Sequence, residues 1–183
     1  MKLIFRQFFN ICLLRAGPQD LPSSAFLLAL SLLLYITIGV LLTVISVPLA
    51  QAVVLVAADI ALLGGLVYVL LWANNLLDRL IRVWTALLGS GAFFELIALP
   101  LLAWQQQIMD NAQAEVISLD ETGVIVSSLI LWLVLFWNLI VVGHILRHAL
   151  STLFPIGVAL SVAYMFISIT LIQNLSGLFS QGA

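Results

Sequence analysis

The sequence predicts an all-α integral membrane protein with an N-terminal interfacial amphipathic helix and five transmembrane helices. Of its 183 residues, 64% are hydrophobic and 8% are charged, whereas a soluble domain is about half apolar and about a quarter charged. A soluble fold is excluded because so few polar residues could not cover its outside. Five apolar runs also follow one another, each near the ~20 residues that cross the hydrocarbon core of a bilayer.

Residues 1–15 are predicted to form the interfacial amphipathic helix. Lys2, Arg6 and Asn10 are spaced by four and share one side of a helix, with apolar residues over the rest. Such a helix lies on the membrane with its basic edge near lipid phosphates. A secretory signal is not indicated, because polar residues interrupt the apolar run and no small-residue cleavage site follows. Cys12, the single cysteine, is expected to be a buried free thiol rather than a palmitoylated one.

A re-entry turn is predicted at 16–24, where Pro18 and Pro22 cannot continue a helix interior. The remainder, 25–183, is predicted to be one transmembrane domain. The second helix must return antiparallel against the first, because only a very short turn separates them. The predicted spans are 25–47, 52–73, 83–104, 123–146 and 154–174.

The distribution of charge predicts the topology. With the N-terminus in the cytoplasm, every lysine and arginine of the chain falls on the cytoplasmic side, as the positive-inside rule requires. The longest loop, 105–122, then faces outward with acidic residues and no basic one. We expect it to be a solvated connector, with a short surface helix around 108–118 as the alternative. Five crossings place the C-terminus outside.

Two acidic residues lie inside apolar runs, Asp59 in the second and Glu95 in the third. Counting residues from the outer ends places both about 12–14 Å below the outer surface, so consecutive antiparallel helices could bring them together. A carboxylate in hydrocarbon is expensive, and no lysine or arginine lies in any run to neutralise it. The pair is therefore a candidate proton- or cation-responsive site or pocket floor. The alternative is a protonated carboxyl that holds the bundle in register.

Polar residues of the fourth run complete the candidate set. Asn138 is interpreted as interhelical glue and a possible member of the intramembrane polar site. His144 and His148 share one helix face beside Arg147, but the H-E-x-x-H pattern of zinc proteases is absent and no third ligand is near. We therefore predict no metal site and assign the basic residues to inner-leaflet headgroups. The predicted headgroup contacts are Lys2, Arg6, Arg15, Arg79, Arg82, His144, Arg147 and His148.

Small residues recur at helix-packing intervals. Ala57, Ala61 and Gly65 are spaced by four on the second run, and Gly157 and Ser161 on the fifth. Such spacing lets two helix backbones approach closely. We expect these residues to pack helices within the chain.

No sequence pattern indicates an enzyme or a cofactor. The chain lacks a G-x-S-x-G nucleophile turn and a glycine-rich phosphate loop. The serines inside the runs, including Ser168, have no base beside them in the sequence. The net charge of −2 provides no basic field for nucleic acid.

The stretch from Trp132 to Pro155 contains an apolar helix, a basic inner turn and the proline that opens the last helix. In this pattern the chain resembles the bacterial members of the Yip (Ypt-interacting protein) family. The resemblance implies a non-enzymatic membrane organiser that associates with lipids and with another membrane protein or itself. The predicted function is a scaffold or accessory subunit. The alternative is a transporter or channel subunit for an ion, a proton or a lipid that uses the two intramembrane acids. The charge asymmetry favours a bacterial inner membrane.

Overall fold

The computed structural model describes residues 2–115 and 121–181, with side chains over 6–110 and 122–179. All regular structure in these ranges is helical. Five of the helices, α2 to α6, are long and apolar enough to cross a membrane, which confirms the five predicted spans. The helices are α1 (Lys2–Cys12), α2 (Ala25–Thr43), α3 (Leu49–Ala73), α4 (Leu80–Glu115), α5 (Glu121–Leu150) and α6 (Phe154–Gln181).

The largest departure from the prediction is the length of α4. It continues through Pro100 and ends at Glu115 rather than near residue 104. The predicted loop, and the separate surface helix around 108–118, are therefore wrong over residues 105–115, and residues 116–120 lie outside the described ranges. A proline removes only one helix hydrogen bond, and membrane helices tolerate that loss. Leucine, alanine and glutamine around it favour helix strongly enough to carry the chain on.

Three helix ends are closed by a left-handed residue that is not glycine. Leu14, Asn75 and Ser151 have φ of 61°, 57° and 55°. After each, a backbone N–H returns to a carbonyl five residues earlier, as in Leu76 to Leu71 at 2.8 Å. This is the Schellman closure, which satisfies carbonyls that a helix end would leave unpaired. It lets α1, α3 and α5 end in tight turns.

The five long helices pack as a ring in the order α2, α4, α5, α6, α3, which closes back on α2. The α2–α3 packing confirms the predicted antiparallel return. The ring order also places α2 beside α4, and because the connections are short these two helices run parallel. The closest partner of α4 is therefore α2, although α3 precedes α4 in the chain.

The packed core lies in the half of the helix bundle that contains the connections 74–79 and 151–153. Arg79 lies in the first of these connections, and Arg82 and Arg147 lie in the helix turns beside them. We call this part the basic half. Its buried apolar side chains come from α1 and the following turn, the start of α2, the end of α3, the first half of α4 and the end of α5. The other half contains Asp59 and Glu95 and is called the carboxyl half.

Glycines permit the closest helix contacts of the basic half. Gly157 lies against the carbonyl oxygen of Gly143, so the α5 and α6 backbones touch, as the spacing on the last run predicted. On α3 a Cβ at Gly64 would lie 2.6 Å from the Trp84 ring, whereas a Cβ at Gly65 would meet nothing within 4 Å. The close approach on α3 is thus at Gly64, and its prediction at Gly65 is wrong.

The N-terminal helix packs on the side of α4. The Phe8 ring lies against Gly89, and the Phe9 and Phe93 rings meet edge to face with centroids 6.3 Å apart. These contacts are about nine to thirteen residues into α4, so α1 is held by the bundle itself. Its placement at the membrane surface stays a prediction.

Candidate functional site

Asp59 on α3 accepts hydrogen bonds from three hydroxyl groups. Tyr35 of α2 donates to Oδ2 at 2.7 Å, and Tyr164 and Ser168 of α6 donate to Oδ1 at 2.8 and 2.7 Å. Tyr164 and Ser168 are four residues apart, so they share one face of their helix. One carboxyl therefore ties together three helices. None of these donors was predicted as a partner of Asp59, although the four-residue spacing of Tyr164 and Ser168 on α6 is a signal for such a pair.

A glycine lets Tyr35 reach this position. A Cβ at Gly91 of α4 would lie 2.6 Å from Tyr35 Cε2. The tyrosine ring therefore passes over a helix surface that has no side chain at that point. Its hydroxyl then reaches Asp59 on α3.

Glu95 on α4 lies beside α2 without comparable bonds. Its Oε1 is 3.3 Å from the Cβ position of Gly39, and its Oε2 is buried with no hydrogen-bond partner among the described residues. The hydrogen bonds of Asp59 go to hydroxyl groups and not to Glu95. The two carboxyls thus lie close together in the fold, but Asp59 accepts three hydrogen bonds, whereas Glu95 Oε2 accepts none from the described residues.

Asp59 and Glu95 line the same cavity of about 290 Å³. The prediction that helix geometry brings the two acids into one region therefore agrees with the structure. The route differs from the expected contact of α3 with α4, because α2 contributes Tyr35 and Gly39 between the two side chains.

A second cavity of about 420 Å³ lies between α4 and α5, with Leu42 of α2 at its side. Glu95 and Asn138 line it, and Asn138 Oδ1 is buried with no partner among the described residues. Gln105 Nε2 donates to Ser128 Oγ at 3.1 Å, and these two residues also line the cavity. The other lining residues are apolar: Leu42, Phe94, Ala98, Leu102, Leu131, Trp132, Val134 and Leu135.

Glu95 lines both cavities, and this position gives it a chemistry that Asp59 lacks. The Asp59 oxygens already accept three hydrogen bonds, which leaves little accepting capacity for a ligand. Glu95 and Asn138 have unused acceptors at one side of an apolar cavity, which suits a ligand with an apolar body and a hydrogen-bond donor. Two such oxygens are too few for a calcium or magnesium ion, which takes six or more oxygen ligands.

Two of the arginines that were predicted to contact lipid headgroups, Arg79 and Arg147, interact with other residues of the chain. Arg79 Nη1 donates to the Ala149 carbonyl at 3.0 Å and to Ser151 Oγ at 2.9 Å, which places a cation at the C-terminal end of α5 where the helix dipole favours it. Arg147 Nη2 donates to His148 Nε2 at 3.3 Å, and its guanidinium lies 5.6 Å from the Phe154 ring centroid.

His144 is 5% exposed, and its Nε2 lies 3.1 Å from the Ala16 carbonyl, which can only accept a hydrogen bond. Nearby, Trp137 Nε1 donates to the Cys12 carbonyl at 2.9 Å. These bonds anchor the N-terminal segment to α5. The His144 and His148 rings are 4.6 Å apart, but the described residues contain no group of three His, Cys, Asp or Glu that could hold a metal.

Among the remaining predicted headgroup residues, three have described side chains: Arg6, Arg15 and Arg82. Arg6 and Arg15 are exposed, and Arg82 is half-buried. The side chain of Lys2 lies outside the described side chains.

No protein-family model, curated protein or solved structure significantly matches this chain. The resemblance to the Yip family stays a prediction.

Proposed function

We propose that this chain is a non-enzymatic integral membrane protein that binds an amphiphile, a lipid or lipid-like molecule, through Glu95 in the cavity between α4 and α5. The observation that carries the proposal is the buried, unpartnered Glu95 carboxyl oxygen at the junction of two cavities. It makes the transport or lipid-handling subunit the better supported of the two predicted functions. Asp59 holds the helices in place.

The cavity supports an amphiphile over a bare ion or a proton alone. Its volume of about 420 Å³ falls in the range of small-molecule sites, roughly 300–1,000 Å³. Most of its lining is apolar. Trp132 is one of the lining residues and is 68% exposed, so the cavity reaches the face of α5 that points away from the helix bundle. An apolar chain would replace the lipid contacts of that lining, while a hydroxyl or ammonium group would donate to Glu95.

The unpaired oxygens of Glu95 and Asn138 give a reason in free energy for ligand binding. A buried acceptor without a partner costs roughly 1–3 kcal/mol, more for a charged group. A ligand donor at Glu95 would recover part of that free energy. Asn138 would supply a second acceptor or a donor from its amide nitrogen, which fixes the orientation of the bound group.

To test the proposal, the full chain is extracted from its expression membranes in mild detergent. Native mass spectrometry then measures whether an amphiphile stays bound to it. We expect a reproducible small-molecule or lipid adduct on the wild type and about tenfold less on Glu95→Leu, the loss of one hydrogen bond to a carboxyl. Asp110→Asn is the matched control, because Asp110 is an exposed acid on the same helix, outside both cavities.

Equal adducts on the wild type and on a folded Glu95→Leu variant would refute the proposal. A proton or ion pathway predicts another pattern: no adduct on any variant, and Glu95-dependent flux in proteoliposomes. Association with another membrane protein or with a second copy would appear in the same spectra as a protein partner. Residence in a bacterial inner membrane, N-terminus inside, belongs to the same proposal and rests on the charge distribution.

A further inference from the structure

A third cavity, of about 500 Å³, opens in the basic half, far from the two carboxyls along the helices. It is bordered by the turn after α1, the connection before α4 and the end of α5. Its polar lining contains two arginines, one histidine and one aspartate. The lining residues are Pro18, Gln19, Asp78, Arg79, Arg82, Val83, His148, Ala149 and Ser151.

The two arginines of this cavity differ in their partners. Arg79 donates to the Ala149 carbonyl and to Ser151. Arg82 is half-buried, its Nε is enclosed without a hydrogen-bond partner, and none of the described residues accepts a hydrogen bond from its guanidinium. An arginine carries five donors in a fixed fork that matches a phosphate, so Arg82 holds unused donors at the edge of a cavity.

The position of Arg82 adds an electrostatic reason for an anion. Arg82 is the third residue of α4, at the positive end of the helix dipole, where a cation is unfavourable and an anion is favourable. Asp78 is exposed in the preceding turn and offsets one of the two guanidinium charges. The lining side chains keep one positive charge in excess, and Asp20 in the turn after α1 lies close enough to His148 to act on it electrostatically.

We infer that this cavity binds a phosphate group, with Arg82 as the primary contact and Arg79 as a fixed second charge. Two sources have this chemistry, the headgroup of an anionic phospholipid and a free phosphate ion. The site is separate from the Glu95 cavity, so the inference stands whether or not the proposed amphiphile binds there.

The test measures binding to the purified full chain in detergent. The probes are phosphatidylglycerol, diacylglycerol with the same acyl chains, and inorganic phosphate. Native mass spectrometry follows the two lipids, and a thermal-shift titration follows inorganic phosphate. For the wild type we expect phosphatidylglycerol to bind at least tenfold more tightly than diacylglycerol.

Arg82→Gln should weaken phosphate-dependent binding about tenfold, because it removes both the charge and the fork. Arg82→Lys keeps the charge but not the fork, and we expect a smaller loss, about threefold. Arg15→Gln is the matched control, since Arg15 is an exposed cation outside the cavity, and it should change binding less than twofold.

Arg82-dependent binding of phosphatidylglycerol identifies the lipid as the source. Arg82-dependent binding of inorganic phosphate without a lipid preference identifies the free ion. The inference is overturned if neither probe binds, or if Arg82→Gln and Arg15→Gln reduce binding equally. Because Arg82→Lys retains the cation, it tests the site even where Arg82→Gln does not fold.

Discussion

The two halves of the helix ring are held together in different ways. In the basic half, apolar side chains from five segments form the buried core, and glycines such as Gly157 bring backbones into contact. In the carboxyl half, two cavities lie between the helices, and the hydrogen bonds to Asp59 join α2, α3 and α6. The additional helix α1 packs against α4 from Gly89 to Phe93.

This difference determines where each half has space for a ligand. Packing in a membrane interior gains little from hydrophobicity, since lipid is as apolar as leucine, so close contacts and hydrogen bonds decide where helices associate. In the basic half the cavity lies beside the connections, where Arg79, Arg82 and His148 line it, and not among the apolar side chains of the core. A half joined by one hydrogen-bonded carboxyl can keep cavities open, and Glu95 is left there with an unused oxygen.

The largest expected effect comes from removing the carboxyl that joins the helices. Asp59→Leu leaves three hydroxyl groups without their acceptor, and interhelical hydrogen bonds in membranes average ~0.6 and reach ~1.7 kcal/mol each. We expect a loss of about 2–4 kcal/mol in the free energy of unfolding, measured by denaturant titration in mixed micelles. Asp59→Asn keeps an acceptor oxygen and should lose about 1 kcal/mol.

Glu95→Leu is the counterpart in the same half. It removes a buried oxygen that has no partner, so the free energy of unfolding should change by less than about 1 kcal/mol in either direction. If Glu95→Leu destabilises the protein as much as Asp59→Leu, the division between a structural and a ligand-binding carboxyl is wrong.

The next largest effect contrasts the same substitution at two sites of α4. Ala86 is fully buried in the basic half, so Ala86→Leu should overpack the core and lose about 1–3 kcal/mol. Ala98 lines the 420 Å³ cavity, where an isobutyl group has space, so Ala98→Leu should change stability by less than about 1 kcal/mol. Thermal unfolding in detergent compares the two directly, and equal losses would show that the halves are packed alike.

Much of this architecture could be predicted from the sequence, and the contacts between helices could not. Apolar runs gave the number of spans, and residue counting placed Asp59 and Glu95 at a common depth. The spans are apolar on all sides, so hydropathy does not mark the face of a helix that meets its neighbour. The ring order, and with it Tyr35, Tyr164 and Ser168 as partners of Asp59, therefore required the structure. The third span was predicted to end at residue 104, but α4 continues to Glu115, because a proline only weakens a membrane helix.

The smallest expected signal is chemical labelling of Cys12 in the basic half. Cys12 is 3% exposed, and burial raises the pKa of its thiol to about 11. Only the thiolate reacts, so at pH 8 about one thiol in a thousand is reactive, against roughly a quarter for a free cysteine of pKa ~8.5. Because the pKa is raised, maleimide labelling of the native protein should be very slow and should rise about tenfold per pH unit between pH 7 and 10.

The same labelling rate shows whether the two halves open separately. Ala86→Leu disturbs the core beside α1 and should speed Cys12 labelling at pH 8, whereas Asp59→Leu acts in the carboxyl half and should leave it slow. Local opening of this kind requires that stability be unevenly distributed through the bundle. If both variants speed labelling in proportion to their loss of stability, the ring opens as one cooperative unit, and the two halves differ in packing but not in stability.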